Sequence, residues 1–314
     1  MGSNEHIGLE KGDRWLLNLP LYHVGGLAIL FRCFLSGATV VLPDEMNPYS
    51  VQDLSKSAIS HISLVPTQLF RILGETVQTS VSPFALKCAL IGGAPLSVQL
   101  LRRALELGWP IASTYGLTEM SSQVTTTKPG NFAFHSGTLL KHRELKVDSS
   151  GEILVKGPTL FSGYWNSGHH LDLPLDPNGW FRTGDLGSLQ KDGGLDIRGR
   201  LDHLFISGGE NIQPEEIENA LSHVLGVRQS VVVPVSDPEY GARPVAFVRC
   251  SEWLDHSAAL WSEQLAQTLP RFKIPIRYLN WPEGPETQGL KPNRRALSVL
   301  AEKHFSQESS QVIF

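Results

Sequence analysis

The stretch that decides the fold runs from Gly179 to Glu216. It holds Gly179-Trp-Phe-Arg-Thr-Gly-Asp185, then Gly199-Arg-Leu-Asp202, then Ser207-Gly-Gly-Glu-Asn211 and Pro214-Glu-Glu216. An aspartate on a tight glycine turn, as Asp185 reads here, can accept two hydrogen bonds from a vicinal diol such as a ribose edge. Arg200 offers a planar fork for ribose or phosphate oxygens. Gly208 and Gly209 let backbone approach a ligand where a Cβ would clash. Taken singly, each piece is a surface turn with an ordinary charge. The information lies in their order.

Upstream of this stretch, short apolar runs alternate with helical patterns. Trp15–Leu19 reads as a strand stopped by Pro20, followed by Tyr22-His23-Val24-Gly25-Gly26 and an apolar helical segment to about Leu35. His23, at the end of a buried strand, suits a ligand contact or a packed, capping role. Arg32 interrupts the apolar helix, and a buried arginine needs an anionic partner, from the protein or from a substrate. Thr39–Leu42 and His61–Val65 read as further strands, each followed by a helical pattern. Cys88–Ile91 runs into Gly92-Gly93-Ala94, and Ser97–Leu107 carries the apolar spacing of an amphipathic helix.

Ile111–Thr114 is the next strand, ending in Tyr115-Gly-Leu-Thr118-Glu119. A tyrosine ring there can stack on a purine. The Thr118 hydroxyl can bond a phosphate oxygen, and Glu119 can hold a magnesium ion. The same string also suits a strand end that caps a helix. Gly92, Gly93 and Ala94 at the end of the preceding strand favour the ligand reading, because two such loops make a flat slot for an adenine. Strand–helix alternation of this kind predicts an α/β fold with a mostly parallel, helix-covered sheet.

From Gly137 the texture changes to short β segments: Glu144–Val147, Glu152–Lys156, Leu186–Leu189 and Leu195–Arg198, with glycine turns between them. They predict a small β subdomain, in which Gly163-Tyr164-Trp165 reads as a core-packing aromatic anchor. A smaller α+β domain then begins at Asp202. Helices are expected over Pro214–Leu221 and Leu254–Leu269, and strands over Val227–Pro234, Pro244–Val248 and Ile276–Leu279. Lys291, in a glycine loop before a basic helix, is either poised to reach an anion or a solvated charge. The expected division is therefore 1–201, a partial large domain, and 202–314, a smaller one.

The totals are those of a globular protein with a substantial core, whose partner is by default a small molecule. A net charge of −4 gives no footprint for nucleic acid or an anionic membrane. Hydrophobic residues make up 41% of the chain, yet no apolar run nears transmembrane length. Cys33, Cys88 and Cys250 form no Cys-x-x-Cys pair and read as reduced thiols of a cytoplasmic protein.

Three phrases together resemble the AMP-forming acyl-CoA synthetases of the acyl-adenylate-forming superfamily. They are Leu19-Pro-Leu-Tyr-His-Val-Gly-Gly26, Ser63-Leu-Val-Pro-Thr-Gln-Leu69, and Gly199 through Glu216; the tail Gly289-Leu-Lys291 with Arg294-Arg-Ala-Leu297 belongs to the same pattern. Within the superfamily they are similar to the branch that joins 2-succinylbenzoate to coenzyme A in menaquinone biosynthesis. The resemblance implies ATP, Mg2+ and coenzyme A as cofactors and a small carboxylic acid as substrate. It implies that Gly92, Gly93, Ala94 and Tyr115 hold the adenine, and that Asp185 and Arg200 hold the ribose. Thr118 would touch phosphate and Glu119 would hold magnesium. Lys291 would bridge carboxylate and α-phosphate oxygens. Asp202 would be the hinge of a mobile C-terminal domain, and Gly208–Gly209 would line the path of the pantetheine arm. His23, Arg32 and Ser63 would line the acyl pocket.

The superfamily's phosphate-binding loop, rich in Ser, Thr and Gly and ending in Pro-Lys, is expected before the Asp13–Trp15 strand. Residues 1–12 contain no such loop. This predicts either a fragment of a longer gene product or a degenerate or truncated protein, with an incomplete large domain and exposed apolar surface. Two further readings stay open: a ligase or adenylation domain for another acid, and a non-catalytic remnant that binds nucleotide or a partner.

Overall fold

Alternate side chains of a strand face opposite sides of its sheet, and the first strands of this chain are apolar on both. The computed structural model describes residues 1–43, 47–48, 50–79, 85–165, 168, 170–250, 252–254, 256–288 and 292–309. They divide into two units, Met1–Ile197 and Arg198–Phe314.

In the first unit β1 (Arg14–Leu16), β2 (Thr39–Val41), β3 (His61–Leu64), β4 (Cys88–Ile91) and β5 (Ile111–Leu117) pair in the order β2-β1-β3-β4-β5, all parallel. Two further strands, β6 (Ser122–Thr126) and β7 (Thr138–Leu139), extend this sheet antiparallel. Five helices cover it: α1 (Gly2–Ile7), α2 (Val24–Ser36), α3 (Val51–Lys56), α4 (Pro66–Thr79) and α5 (Val98–Glu106). Leu16, Ile62, Ala89 and Ile111 pack on one side with Leu54, Leu69, Ile72 and Leu101 of α3, α4 and α5. Their neighbours Trp15, Leu90 and Ala112 pack on the other side with Ile7, Ile29 and Cys33 of α1 and α2. Each fully buried large aliphatic side chain contributes roughly 1.5–3 kcal/mol, against about 0–1 kcal/mol for a surface ion pair. Layer packing, not charge, therefore holds this sheet. The outer face of α2 is apolar and uncovered, with Phe31 60% and Phe34 83% exposed.

The small β subdomain comprises β8 (Glu144–Val147), β9 (Glu152–Lys156), the short pair β10 (Tyr164–Trp165) and β11 (Leu171–Asp172), β12 (Phe181–Leu189) and β13 (Leu195–Arg200). Four of these strands form a sheet in the order β13-β12-β9-β8.

In the second unit β14 (Phe205–Ser207) and β15 (Glu210–Ile212) make a hairpin ahead of α6 (Pro214–Ser222). Next come β16 (Val227–Asp237), β17 (Gly241–Cys250), α7 (Ser257–Leu265), β18 (Arg277–Asn280), α8 (Pro285–Gln288) and α9 (Arg294–Ser309). A three-stranded sheet, β16-β17-β18, separates two cores. Val232, Ala246 and Val248 face α6 and α7, while Val231, Val233 and Phe247 face α9.

The expected α/β architecture is present, with three differences of detail. The helix expected over Leu254–Leu269 is shorter, because the Leu254 amide donates to Ser257 Oγ at 2.9 Å and the helix begins only there. Strand β6 was hidden by its polar composition. Asp185 lies inside β12, at a shift of register between Arg182 and Leu186, and not on a tight turn. Gly184, with φ of 71°, makes a bulge in the strand rather than a reversal of the chain. No helix among the described residues is long and apolar enough to cross a membrane.

Candidate functional site

Strands β4 and β5 are parallel with Ile91 opposite Ser113, so the loop Gly92-Gly93-Ala94 leaves β4 alongside Thr114 and Tyr115, which continue β5. A Cβ on Gly92 would fall 2.8 Å from Thr114 Cγ2, which is why the first residue of this loop carries no side chain. Gly93 and Ala94 are exposed. The Tyr115 ring packs with Met120 and Val124, and its hydroxyl donates to Asp185 Oδ2 at 2.6 Å. A short bond from phenol to carboxylate is of the strong, charge-assisted kind. The bulge sets the acid in place: the Asp185 amide donates to Thr183 Oγ1 at 3.0 Å, and that hydroxyl donates to Ile153 O at 2.7 Å. Five of the predicted nucleotide residues, Gly92, Gly93, Ala94, Tyr115 and Asp185, thus belong to one neighbourhood.

Thr118 and Glu119 follow on a single 3-10 turn, Thr118–Met120, with Thr118 exposed and Glu119 half-buried. The Tyr164 hydroxyl donates to Glu119 Oε1 at 2.7 Å. Tyr164 is therefore not the core anchor expected from the sequence; it is 46% exposed and its neighbour Trp165 67%. Partial burial first, and then the Glu119 carboxylate, push this phenol up to about 12. Among the described residues no group of three or more His, Cys, Asp or Glu is placed to hold a metal. A lone carboxylate nonetheless fits magnesium, which takes one or two protein carboxylates and completes its shell with phosphate and water.

On α2, Arg32 is 7% exposed, with its Nη2 donating to Ser122 Oγ at 3.2 Å and its guanidinium 5.4 Å from the centroid of the Trp15 ring. Among the described residues no carboxylate pairs with it. Burial, and then the charge of Arg143, pull it down to about 10. Ser63, in β3, is buried with its hydroxyl unpartnered. Asn18 Nδ2 donates to Ser63 O at 2.8 Å, while Asn18 Oδ1 is also buried and unpartnered. Sequence reasoning passed over Asn18, and only its place beside Ser63 singles it out. His23 caps the start of α2 through its backbone, is exposed, and meets the Tyr22 ring at a tilt with centroids 4.7 Å apart.

In the second unit Arg200 Nε donates to Asp202 Oδ1 at 2.8 Å, across the 3-10 turn Leu201–His203. Gly208 and Gly209 form the exposed tip of the β14–β15 hairpin, where the Gly208 amide donates to Tyr240 O at 2.9 Å. Arg294, at the start of α9, donates to Glu218 Oε1 at 2.6 Å and to the Val232 carbonyl, with Glu215 Oε1 at 3.4 Å. Lys291 lies outside the described residues.

The chain has counterparts among known proteins. The AMP-binding enzyme family matches residues 1–165, and its C-terminal domain matches residues 216–289. The chain is 39% identical over 293 residues to the 2-succinylbenzoate–CoA ligase of Escherichia coli, covering 93% of this chain and 61% of that one. It is similar in structure to a variant of E. coli MenE with bound OSB-AMS, with a TM-score of 0.84, 38% identity, and coverage of 96% and 63%. It is similar also to Bacillus subtilis o-succinylbenzoate coenzyme A synthetase in complex with ATP and magnesium ion (TM-score 0.80, 33% identity, coverage 94% and 63%). The chain thus spans about three-fifths of the length of these relatives. With the family matched over more than half its residues and the fold alike, the chain belongs to the AMP-binding enzymes.

Proposed function

We propose that this chain works as an AMP-forming acid–CoA ligase on 2-succinylbenzoate, through an acyl-adenylate, in the cytoplasm and in menaquinone biosynthesis. The observation that carries the reading is the hydrogen bond from Tyr115 to Asp185 beside the Gly92–Ala94 loop. It holds an acid that suits ribose hydroxyls next to a loop flat enough for an adenine. The names and ligands of the relatives support the choice of acid, ATP and magnesium. Cys33, Cys88 and Cys250 are free thiols, in keeping with a reducing compartment.

In the first step a carboxylate oxygen of the acid attacks the α-phosphorus of ATP, and the bond to pyrophosphate breaks. Gly92, Gly93, Ala94 and Tyr115 frame the adenine, Asp185 and Arg200 take the ribose, and Thr118 donates to phosphate. Glu119 would hold a magnesium ion, which would supply positive charge to the phosphates. Lys291 is assigned the charge that builds on the carboxylate and α-phosphate oxygens. Arg32, a buried cation with no carboxylate of its own among the described residues, receives the distal carboxylate of the diacid, with Ser63 and His23 lining the acyl group. In the second step the thiol sulfur of coenzyme A attacks the acyl carbon, AMP leaves, and the thiol proton is lost to solvent. Residues 1–201 form the AMP-binding domain, and residues 202–314 turn about Asp202 so that Gly208 and Gly209 meet the pantetheine arm.

The test is product analysis by mass spectrometry from two starting points. One is ATP, Mg2+, coenzyme A and 2-succinylbenzoate; the other is preformed 2-succinylbenzoyl-adenylate with coenzyme A. The proposal expects 2-succinylbenzoyl-CoA and AMP in equal amounts. ADP as the nucleotide product, or no thioester from either start, contradicts it.

A further inference from the structure

Glu119 reaches its position on a short turn, yet one segment distant in sequence, Thr159 to Tyr164, holds that turn there. The Phe161 amide donates to Glu119 O at 2.8 Å, and Ser121 Oγ donates to Thr159 O at 2.9 Å. Phe161 meets the Tyr164 ring edge-on at 4.8 Å and the Phe181 ring at 5.6 Å. Gly163 has a φ of 135°, and a Cβ there would fall 2.8 Å from Asp172 O, so the chain needs glycine to bring Tyr164 round. A half-exposed ring gains little from packing. What Tyr164 gains here is its bond to Glu119 Oε1, while Oε2 has no partner among the described residues.

A carboxylate with one oxygen fixed presents the other in a set direction. Ligands of metal ions are commonly oriented by such outer hydrogen bonds. We propose that Tyr164 is a positioning residue that holds Glu119 so that its second oxygen meets the divalent cation of a bound nucleotide's phosphates. The proposal rests on the nucleotide-binding function proposed above and adds to it a residue with a separate task.

The experiment uses Mn2+ as the probe, titrated into the chain with ATP and followed by electron paramagnetic resonance. Tyr164→Phe should weaken Mn2+ in the ternary complex by about 10- to 100-fold. Binding of AMP without metal, and the melting midpoint, should stay close to those of the unmodified chain. In a Glu119→Gln background the Tyr164→Phe change should add nothing further, because both act through one contact. Unchanged Mn2+ affinity in Tyr164→Phe, or an equal loss of AMP binding in that variant, would overturn the proposal but not the nucleotide-binding function of the unmodified chain. No binding of Mn2+ and ATP by the unmodified chain would overturn both.

Discussion

Two arginines, one in each unit, sit in opposite company, Arg32 buried and Arg294 half-buried. Arg294 lies among carboxylates: Glu218 takes two of its hydrogen bonds, Glu215 lies at 3.4 Å, and the Val232 carbonyl completes the set. Arg32 lies among neutral groups, a serine hydroxyl and a tryptophan ring, with the charge of Arg143 acting against its own. Burying a charge costs several kcal/mol unless something of opposite sign meets it. Glu218 and Glu215 meet Arg294 within the fold, so its task is complete without a ligand. Arg32 is left with a demand that an outside anion would satisfy. The difference separates a structural cation from a recognition cation better than the burial of either.

The largest expected effect breaks the satisfied pair. Arg294→Met leaves Glu218 without its cation, while Glu215 keeps His203, and should cost up to about 3 kcal/mol, read as a fall in the urea midpoint. The same replacement at Arg32 keeps an apolar stem and removes a charge that the described fold does not neutralise. It should leave stability within about 1 kcal/mol of the starting value, or raise it. Equal losses at the two positions would erase the distinction.

A smaller effect sharpens it. His61 is fully buried against the same Trp15 ring, at 5.2 Å, with Ser60 Oγ 2.9 Å from its Nδ1. Burial pushes its imidazole below the ordinary value, with Asp13 acting the other way and Lys87 adding to the depression. The folded chain thus keeps His61 neutral while the unfolded chain takes up a proton as pH falls through ~6.5. Stability from this group is complete above that pH and is lost below it, no faster than about 1.4 kcal/mol per pH unit. Urea midpoints between pH 7.5 and 5.5 should fall less in His61→Phe than in the unmodified chain. Parallel slopes would mean that this pocket tolerates a second charge.

Much of the fold was legible because apolar runs and glycine loops carry local signals. β8 and β9 have the bounds read from sequence, and α2 ends where Gly37 takes a left-handed conformation. β6 was not legible, because Ser122-Gln123-Val124-Thr125-Thr126 looks like a solvated loop. Its polar groups are buried because they find partners within the strand and on its neighbours: Gln123 Nε2 donates to Thr126 Oγ1 at 2.7 Å, and Thr114 Oγ1 of β5 donates to Thr125 O at 2.7 Å. The candidate site divides the same way. Gly92, Tyr115 and Glu119 stand in phrases that announce themselves. Tyr164 does not, since its bond to Glu119 joins residues far apart in sequence and leaves no local trace.

The most direct test of the account is a binding comparison at Arg32. The ligands are 2-succinylbenzoate joined to adenosine through a non-hydrolysable sulfamate, and the same molecule lacking the distal carboxylate. Isothermal titration of the chain should favour the diacid form by about 100-fold, equivalent to ~3 kcal/mol for one contact to a charged group. In Arg32→Met that preference should collapse to nearly nothing, with binding of the shorter ligand little changed. Equal affinity for both ligands in the unmodified chain, or the same preference in the variant, would contradict the account.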